Sequence, residues 1–178
     1  AHIYREDGQL ARSAAEHERI ALEADDAELS REALLTAGDL YDEAKAMSDA
    51  IRVYEQYVEL YPRPLDYAVE TRKRLSDIYK AQSDYGRYYA QLEAIIAVDD
   101  GAGPDRTDRS RYLAAGAALI LAEQLYERFA GLELTQPFEE SLAQKQNRMD
   151  TALAALEKLV DYEVADVTAA ATFYIAES

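Results

Sequence analysis

The sequence predicts an all-α protein, a right-handed α-solenoid in which about eight helices stack as antiparallel pairs. Strand signals are nearly absent, since the 178 residues include only four prolines and seven glycines and lack alternating apolar and polar runs. Apolar residues instead recur at steps of three and four, as in Ile51, Tyr54 and Val58, which places them on one helix face. A helical pair also recurs along the chain, and this repetition is typical of an α-solenoid.

Turn-forming residues divide the chain into separate helices. Pro62 and Pro64 end one helix and begin the next, and Ser83 and Asp84 precede another. The stretch 99–104 is the clearest break. We interpret 99–108 as a solvated linker in which Thr107 or Asp108 caps the following helix. The predicted helices cover residues 8–24, 27–44, 47–61, 65–82, 84–98, 106–130, 137–161 and 164–178.

A short motif that ends in tyrosine marks the repeat. His2-Ile3-Tyr4, Asp39-Leu40-Tyr41 and Asp77-Ile78-Tyr79 each end a predicted first helix, and the last two tyrosines are 38 residues apart. Gln124-Leu125-Tyr126 is a fourth, more distant instance. We therefore predict a single array over residues 1–178, expected to belong to a longer protein because neither end shows a polar cap. Its parts are a half repeat, two repeats, a longer divergent pair and the start of a further repeat: 1–26, 27–62, 65–100, 106–161 and 164–178.

The segment from Leu34 to Pro62 resembles one tetratricopeptide repeat. That repeat has a large residue, two small residues, two aromatic residues and a proline at set spacings, and these are matched by Leu34, Gly38, Ala50, Tyr41, Tyr54 and Pro62. Gly38 and Ala50 would let two helix backbones approach, while Tyr41 and Tyr54 fill the space beside them. The resemblance weakens toward the C-terminus: the second repeat has Ser76, Tyr88 and Asp100 at the glycine, alanine and proline places, and the third keeps Tyr126 and Ala152 around an insertion.

The run 50–62, followed by Ala68, Leu75, Ile78 and Tyr79, is similar to repeats of the tetratricopeptide proteins of the Gram-negative envelope. That resemblance implies a periplasmic location in a bacterium and binding to other envelope proteins. A cytoplasmic location stays open, because cytoplasmic members share much of the pattern.

Composition limits the partners. The 35 acidic and 19 basic residues give a formal charge of -16, which repels nucleic-acid phosphates and anionic lipid headgroups. A basic protein or peptide is easier to accommodate, although acidity alone also serves solubility. The absence of cysteine excludes disulfides and thiolate chemistry. The apolar run from Tyr112 to Leu125 is too short for a membrane span.

Catalytic patterns are missing from the sequence. His2 and His17 have no partner at metal-ligand spacing, and His17 is expected to face solvent. A glycine-rich phosphate loop and a nucleophile motif are absent, and 99–108 lacks the ligand order of a calcium loop. We predict a non-catalytic protein without cofactor or metal. A helical enzyme or a cell-wall-binding domain is the least favoured alternative.

The family resemblance also implies where a ligand would bind. Ligands of tetratricopeptide proteins often lie in the concave groove lined by the first helices. Carried onto this chain, the groove positions are Glu32, Leu35, Asp39, Asp42, Glu43, Glu70, Lys73, Asp77, Lys80, Ala81, Ile120, Gln124, Glu127 and Arg128. The first repeat would be strongly acidic and suit a basic or amino-terminal ligand. It lacks the basic cluster that would hold a C-terminal carboxylate.

These observations predict a protein–protein interaction scaffold, with a structural spacer or a self-association module that forms homo-oligomers as the alternative. The 14 tyrosines against three phenylalanines are interpreted as repeat packing. A second interpretation is that Tyr85, Tyr88 and Tyr89 form a binding surface, because tyrosine is common in interface hot spots.

Overall fold

The computed structural model describes the backbone of residues 2–178 and the side chains of residues 8–178. Within this range the chain is all-helical, which confirms the predicted class, and it forms eight α-helices and two short 3-10 helices. The 3-10 helices are Gly103–Asp105 and Lys158–Tyr162. The α-helices are α1 His2–Glu23, α2 Ala27–Glu43, α3 Met47–Leu60, α4 Leu65–Ala81, α5 Tyr85–Asp100, α6 Asp108–Ala130, α7 Phe138–Glu157 and α8 Ala165–Glu177.

Four predicted helix boundaries are wrong by two residues or more, and one is the start of α6, which lies at Asp108 and not at residue 106. Helix α1 is continuous from His2, so His2-Ile3-Tyr4 lies in its first turn and does not end a preceding helix; the side chains of this motif lie outside the described residues. Helix α5 continues through Asp100, because Asp99 is buried there and not solvated as expected. The predicted helix 137–161 ends at Glu157 and tightens into the 3-10 helix, which buries Leu159 and Tyr162.

Backbone contacts divide the chain into two compact units, Ala1–Gln91 and Leu92–Ser178. The division lies within α5, which contributes its first turns to unit 1 and its last turns to unit 2. The single array over residues 1–178 stays a prediction.

In unit 1, α1 contacts α2, α2 contacts α3, and α3 contacts α4. The core is built from alanine, valine and tyrosine on the facing sides of these helices, and its most buried members include Ala37, Ala50, Val53, Tyr54, Tyr57, Val69, Leu75 and Tyr79. Asp26 caps α2 by accepting hydrogen bonds from the backbone N–H groups of Glu28 and Leu29. Pro64 occupies the cap position of α4.

The closest approach in this core joins Gly38 of α2 to Tyr54 of α3. A Cβ atom placed on Gly38 would lie 2.5 Å from Cε1 of Tyr54, inside any van der Waals contact. Gly38, Ala50, Tyr41 and Tyr54 are all buried, as predicted for the two small and two aromatic positions. The absence of a side chain at residue 38 therefore makes room for the Tyr54 ring.

One helix–turn–helix geometry occurs twice. Helices α2 and α4 start at Ala27 and Leu65, which are 38 residues apart like Tyr41 and Tyr79. In the turn between α2 and α3, Lys45 has a left-handed backbone with φ of 59°, and the N–H of Ala46 donates to the carbonyl of Tyr41. In the turn between α4 and α5, Ser83 has φ of 60°, and the N–H of Asp84 donates to the carbonyl of Tyr79. The repeat seen in the sequence is thus also a repeat of local backbone geometry.

Tyrosine hydroxyls connect α2, α3 and α4 each to the helix before it. The hydroxyl groups donate to carboxylates on the preceding helix over 2.7, 2.7 and 2.5 Å, in the pairs Tyr41–Glu18, Tyr54–Asp39 and Tyr79–Glu55. The tyrosine rings fill the core while their hydroxyls reach its edge. This confirms the interpretation of these tyrosines as packing residues and explains why phenylalanine would not serve equally.

Unit 2 combines the last turns of α5 with α6, α7, the 3-10 helix and α8. Its core is rich in alanine and leucine, including Ala114, Ala115, Ala122, Ala152, Leu156, Leu159 and Ala171. The buried carboxylate of Asp99 anchors the 101–107 loop: it accepts from Ser110 Oγ at 2.6 Å and pairs with Arg106 Nη2 at 2.7 Å. Thr107 and Ser110 form a reciprocal capping box at the start of α6, as predicted for Thr107.

Within the part of the chain that the structure describes, no helix is both long enough and apolar enough to cross a bilayer.

Candidate functional site

Two adjoining depressions in unit 1 form a cleft between the end of α2, the turn that follows it and the second half of α4. The larger one has a volume of about 530 Å³ and the smaller about 300 Å³, and both are bounded by Asp42, Lys45 and Arg74. We call their combined lining the α2–α4 cleft. Its members are Asp39, Asp42, Glu43, Lys45, Met47, Tyr54, Arg74, Asp77, Ile78, Ala81 and Gln82.

One wall of the cleft is held by a network around Asp39. Its Oδ1 accepts the hydroxyl of Tyr54 at 2.7 Å and also pairs with Arg74, whose guanidinium lies 5.9 Å from the Tyr54 ring centroid. Burial, followed by the hydrogen bond to Asp39, raises the pKa of Tyr54. Asp39 is therefore a structural member of the wall, and its charge is matched by Arg74.

Acidic groups outnumber basic ones in the remainder of the cleft. Once Asp39 and Arg74 are paired, Asp42, Glu43 and Asp77 face the single cation Lys45. Asp77 also receives Lys73 Nζ at 2.6 Å, in an ion pair that is partly exposed and so contributes little to stability. The cleft is consequently acidic but carries fixed positive charge, a less uniform surface than the strongly acidic one expected from the sequence.

Lys45 reaches the cleft because of the turn after α2. Its left-handed backbone is secured by the hydrogen bond from its own N–H to the carbonyl of Asp42 and by the bond from Ala46 to Tyr41. A lysine rarely adopts this conformation, since its Cβ crowds the carbonyl oxygen. The turn thus places a cation beside Asp42 and Glu43.

The floor of the larger depression is apolar. Met47 begins α3, and Ile78 and Ala81 lie on α4. An open cleft that combines such a floor with charged walls suits an extended polypeptide segment, because the floor takes an apolar side chain and the walls bind polar groups around it.

The predicted groove residues divide into three groups. Asp39, Asp42, Glu43, Asp77 and Ala81 come together in the cleft. Five others of α2 and α4 do not line it. Glu32 is exposed, Leu35 and Glu70 are half-buried, Lys73 is half-buried and pairs with Asp77, and Lys80 lies 5.4 Å from the Tyr88 ring, toward α5. Ile120, Gln124, Glu127 and Arg128 belong to α6 in unit 2, where Ile120 and Gln124 are half-buried and the other two are exposed.

Sequence reasoning missed the cationic and apolar members of the cleft: Lys45, Met47, Arg74 and Ile78. Arg74 lies three residues before Asp77, so helical spacing alone places both on one face of α4 and could have identified it. The orientation of Lys45 depends on the left-handed turn, for which a lysine gives no local signal.

The other candidate groups stand apart from the cleft. Among the described residues, no three His, Cys, Asp or Glu side chains lie together as a metal would require. His17 is half-buried on α1, which corrects the expectation that it faces solvent, and His2 lies outside the described side chains. Tyr88 is buried, while Tyr85 is exposed and its ring centroid is 6.4 Å from that of Tyr89.

No protein-family model, curated protein or solved structure matches this chain.

Proposed function

We propose that the protein is a non-catalytic scaffold of the tetratricopeptide type that binds a segment of another protein in the α2–α4 cleft. In this proposal the helices stack as antiparallel pairs in a right-handed solenoid, and the partner is a basic polypeptide. The observation that carries the proposal is the cleft itself: Asp42, Glu43 and Asp77 surround an apolar floor between two helices.

Repeat geometry supports the family part of this proposal. The turn after α2 and the turn after α4 each have a left-handed residue at the equivalent position, Lys45 and Ser83, which are 38 residues apart. The two turns also have the same pattern of backbone hydrogen bonds. The Gly38–Tyr54 contact also has the small-against-aromatic chemistry that the tetratricopeptide resemblance implies. The similarity to envelope repeats further suggests a periplasmic complex of a Gram-negative bacterium as the setting, with the cytoplasm as the alternative compartment.

The role of the cleft in binding is tested by reversing the charge of acidic residues that do not stabilise the fold. Asp39 is unsuitable because its loss would leave Tyr54 and Arg74 without their partner. The test variant is therefore Asp42→Lys with Glu43→Lys, and the control is Asp25→Lys with Glu59→Lys, two exposed acids outside the cleft. Each protein is immobilised and exposed to a Gram-negative envelope extract, and retained proteins are identified and quantified.

A scaffold that uses the cleft retains a defined stoichiometric partner in the wild type and in the control, and loses about tenfold or more of it in the cleft variant. Crosslinking mass spectrometry should then join that partner to Lys45 or Lys73. If the cleft variant and the control retain the same partner set, the cleft is not the binding site. If the wild type retains nothing, the protein is not an adaptor of that compartment.

A second candidate function, self-association, is favoured by exposed apolar side chains in unit 2. Phe138 and Leu142 are one turn apart on α7 and are 58% and 47% exposed, and Phe173 on α8 is 58% exposed. Exposed apolar groups of this size are common at protein interfaces. Light scattering of the wild type and of Phe138→Ser with Phe173→Ser separates the functions: a discrete oligomer that the double variant dissociates indicates a self-association module.

A further inference from the structure

Unit 2 contains a second groove, which the predicted site residues do not reach. It is lined by the last turns of α5, by α6, by the second half of α7 and by the 3-10 helix Lys158–Tyr162, and we call its α6 residues the floor and the others the walls. It has a volume of about 490 Å³, within the range of ligand-binding clefts. We call it the α5–α7 groove; its lining comprises Ile96, Asp100, Ala118, Leu121, Ala122, Leu125, Thr151, Ala154, Ala155, Lys158, Leu159 and Tyr162.

Small side chains keep this groove open. Ala118 and Ala122 lie one turn apart on the floor, and Ala154 and Ala155 lie along the α7 wall. Leu121 and Leu125 make the rest of the floor apolar. Because the floor residues span 118–125 on a helix that rises about 1.5 Å per residue, the groove is about 10 Å long. That length accommodates the side chains of a short apolar segment, such as one face of two helical turns.

Charge is concentrated at one end of the groove. A smaller depression of about 280 Å³ adjoins it there and shares Asp100, Lys158 and Tyr162, with Arg106 and Asp161 completing the rim. Arg106 is already paired with the buried Asp99. Among the described residues, Asp100, Asp161 and Lys158 form no ion pair, and Asp100 also interacts electrostatically with Arg106. Counting all five groups, the three carboxylates of Asp99, Asp100 and Asp161 outnumber the cations Arg106 and Lys158 at this end.

We infer that the α5–α7 groove is a second docking site, distinct from the α2–α4 cleft, for a partner segment that carries apolar side chains next to a basic residue. The apolar side chains lie over Ala118, Ala122 and Ala154, and the basic residue meets Asp100 and Asp161. An acidic residue at that place in the partner would face the excess of carboxylates, in a chain whose formal charge is -16, and is disfavoured.

Synthetic peptides test this inference without knowledge of the natural partner. The basic probe combines leucines, a tryptophan and lysines; the acidic probe has glutamates in place of the lysines, and the polar probe has serines in place of the leucines. Because the protein contains tyrosine but no tryptophan, fluorescence anisotropy excited beyond the tyrosine absorption band reports the probe alone. The basic probe is expected to bind about tenfold more tightly than either of the others.

Location is tested with two exposed alanines of α7. Ala154→Phe fills the groove and should weaken binding of the basic probe about tenfold, whereas Ala143→Phe lies outside the groove and should leave it unchanged. Charge is tested with Asp161→Lys against Glu133→Lys, a reversal in the exposed 131–137 loop. Circular dichroism checks that all four variants keep the wild-type Tm within a few degrees.

Each outcome decides a part of the inference. Equal affinity for the basic and acidic probes overturns the preference for a basic residue. Equal affinity for the basic and polar probes overturns the role of the apolar floor. Unchanged binding to the folded Ala154→Phe variant overturns the location, and weaker binding in Asp161→Lys but not in Glu133→Lys supports it.

Discussion

At the scale of single residues, the contact between Gly38 and Tyr54 shows why a small residue is needed at one helical position. The space that a methyl group would take is already filled by the aromatic ring. Gly116 on α6 is the opposite case, since a Cβ there would meet nothing within 4 Å. The same substitution at these two glycines should therefore have opposite effects on stability.

We expect Gly38→Ala to lower the free energy of unfolding by about 1–3 kcal/mol, because the new methyl group overpacks a close contact. Gly116→Ala should raise it by up to about 1 kcal/mol, since alanine favours the helix and meets no obstacle. Urea unfolding followed by circular dichroism measures both. A neutral Gly38→Ala would show that Tyr54 can move aside at little cost.

Asp99 makes a second prediction at the residue scale. Asp99 is 1% exposed, and its carboxylate accepts from the buried Ser110 and pairs with Arg106, whose side chain is 37% exposed. Because the substitution breaks these bonds but leaves no buried charge behind, we expect Asp99→Ala to cost about 1–3 kcal/mol of unfolding free energy. The neighbouring exposed Asp100→Ala should change it by less than about 0.5 kcal/mol in the same urea experiment. Equal effects of the two substitutions would contradict the anchoring role of Asp99.

At the scale of helices, the tyrosine–carboxylate pairs of unit 1 link stability to alkaline pH. Burial and the hydrogen bond to a carboxylate raise the pKa of Tyr41 and of Tyr79 to about 12, above the ordinary value of 10. The unfolded chain therefore loses these protons at lower pH than the folded protein does. The stability contributed by the two pairs is complete below pH 10 and is lost as the pH rises toward 12.

A titration of tyrosinate absorbance should consequently show a group of tyrosines that ionise only near pH 12 in the folded protein. Replacing both with phenylalanine should shrink this late phase, whereas Tyr85→Phe, at an exposed tyrosine, should leave it unchanged. Each buried replacement should also cost about 1 kcal/mol at neutral pH. The phase should not vanish, because the pKa of Tyr54 is raised as well. A late phase of undiminished size in the double variant would show that Tyr41 and Tyr79 do not contribute to it.

The sequence predicts the helices better than their contacts, for physical reasons. Apolar spacing and the prolines at residues 62 and 64 are local signals, so α2, α3 and α4 begin where predicted and end within one residue of the predicted position. The end of α5 depends instead on a bond between Asp99 and Ser110 across the following loop. Such a bond has no local signal, and the prediction therefore ended this helix too early.

The candidate site was predictable to a similar extent. Asp39, Asp42 and Asp77 are implied by the family resemblance, and they do meet in the cleft. The structural role of Asp39 could not be predicted from the sequence, because its partners Tyr54 and Arg74 lie on two other helices. The α5–α7 groove was missed since its alanines indicate ordinary helix packing when they are read one helix at a time.

At the scale of the whole molecule, the formal charge of -16 is itself a source of instability. Like charges repel more in the compact state than in the unfolded chain. Raising the salt concentration from about 10 mM to about 150 mM shortens the screening length from about 30 Å to about 8 Å and should raise the Tm by a few degrees. The exposed ion pairs weaken at the same time, but each contributes at most about 1 kcal/mol.

Differential scanning calorimetry over this salt range tests the effect. A variant with glutamine at the four exposed positions Glu59, Glu93, Glu133 and Glu139 carries less charge and should gain less from added salt than the wild type. If salt lowers the Tm of the wild type, the ion pairs dominate and the net charge does not limit stability.

The paired left-handed turns at Lys45 and Ser83 have a consequence for protein engineering. Glycine adopts this conformation without the crowding that a side chain brings, so a design chosen only for stability would place glycine at both positions and gain up to about 1 kcal/mol at each. At Ser83 that gain leaves the α2–α4 cleft intact. At Lys45 it would remove the one unpaired cation of the cleft and change what the cleft can recognise. A stabilised variant that keeps its binding specificity should therefore have glycine at residue 83 and keep lysine at residue 45.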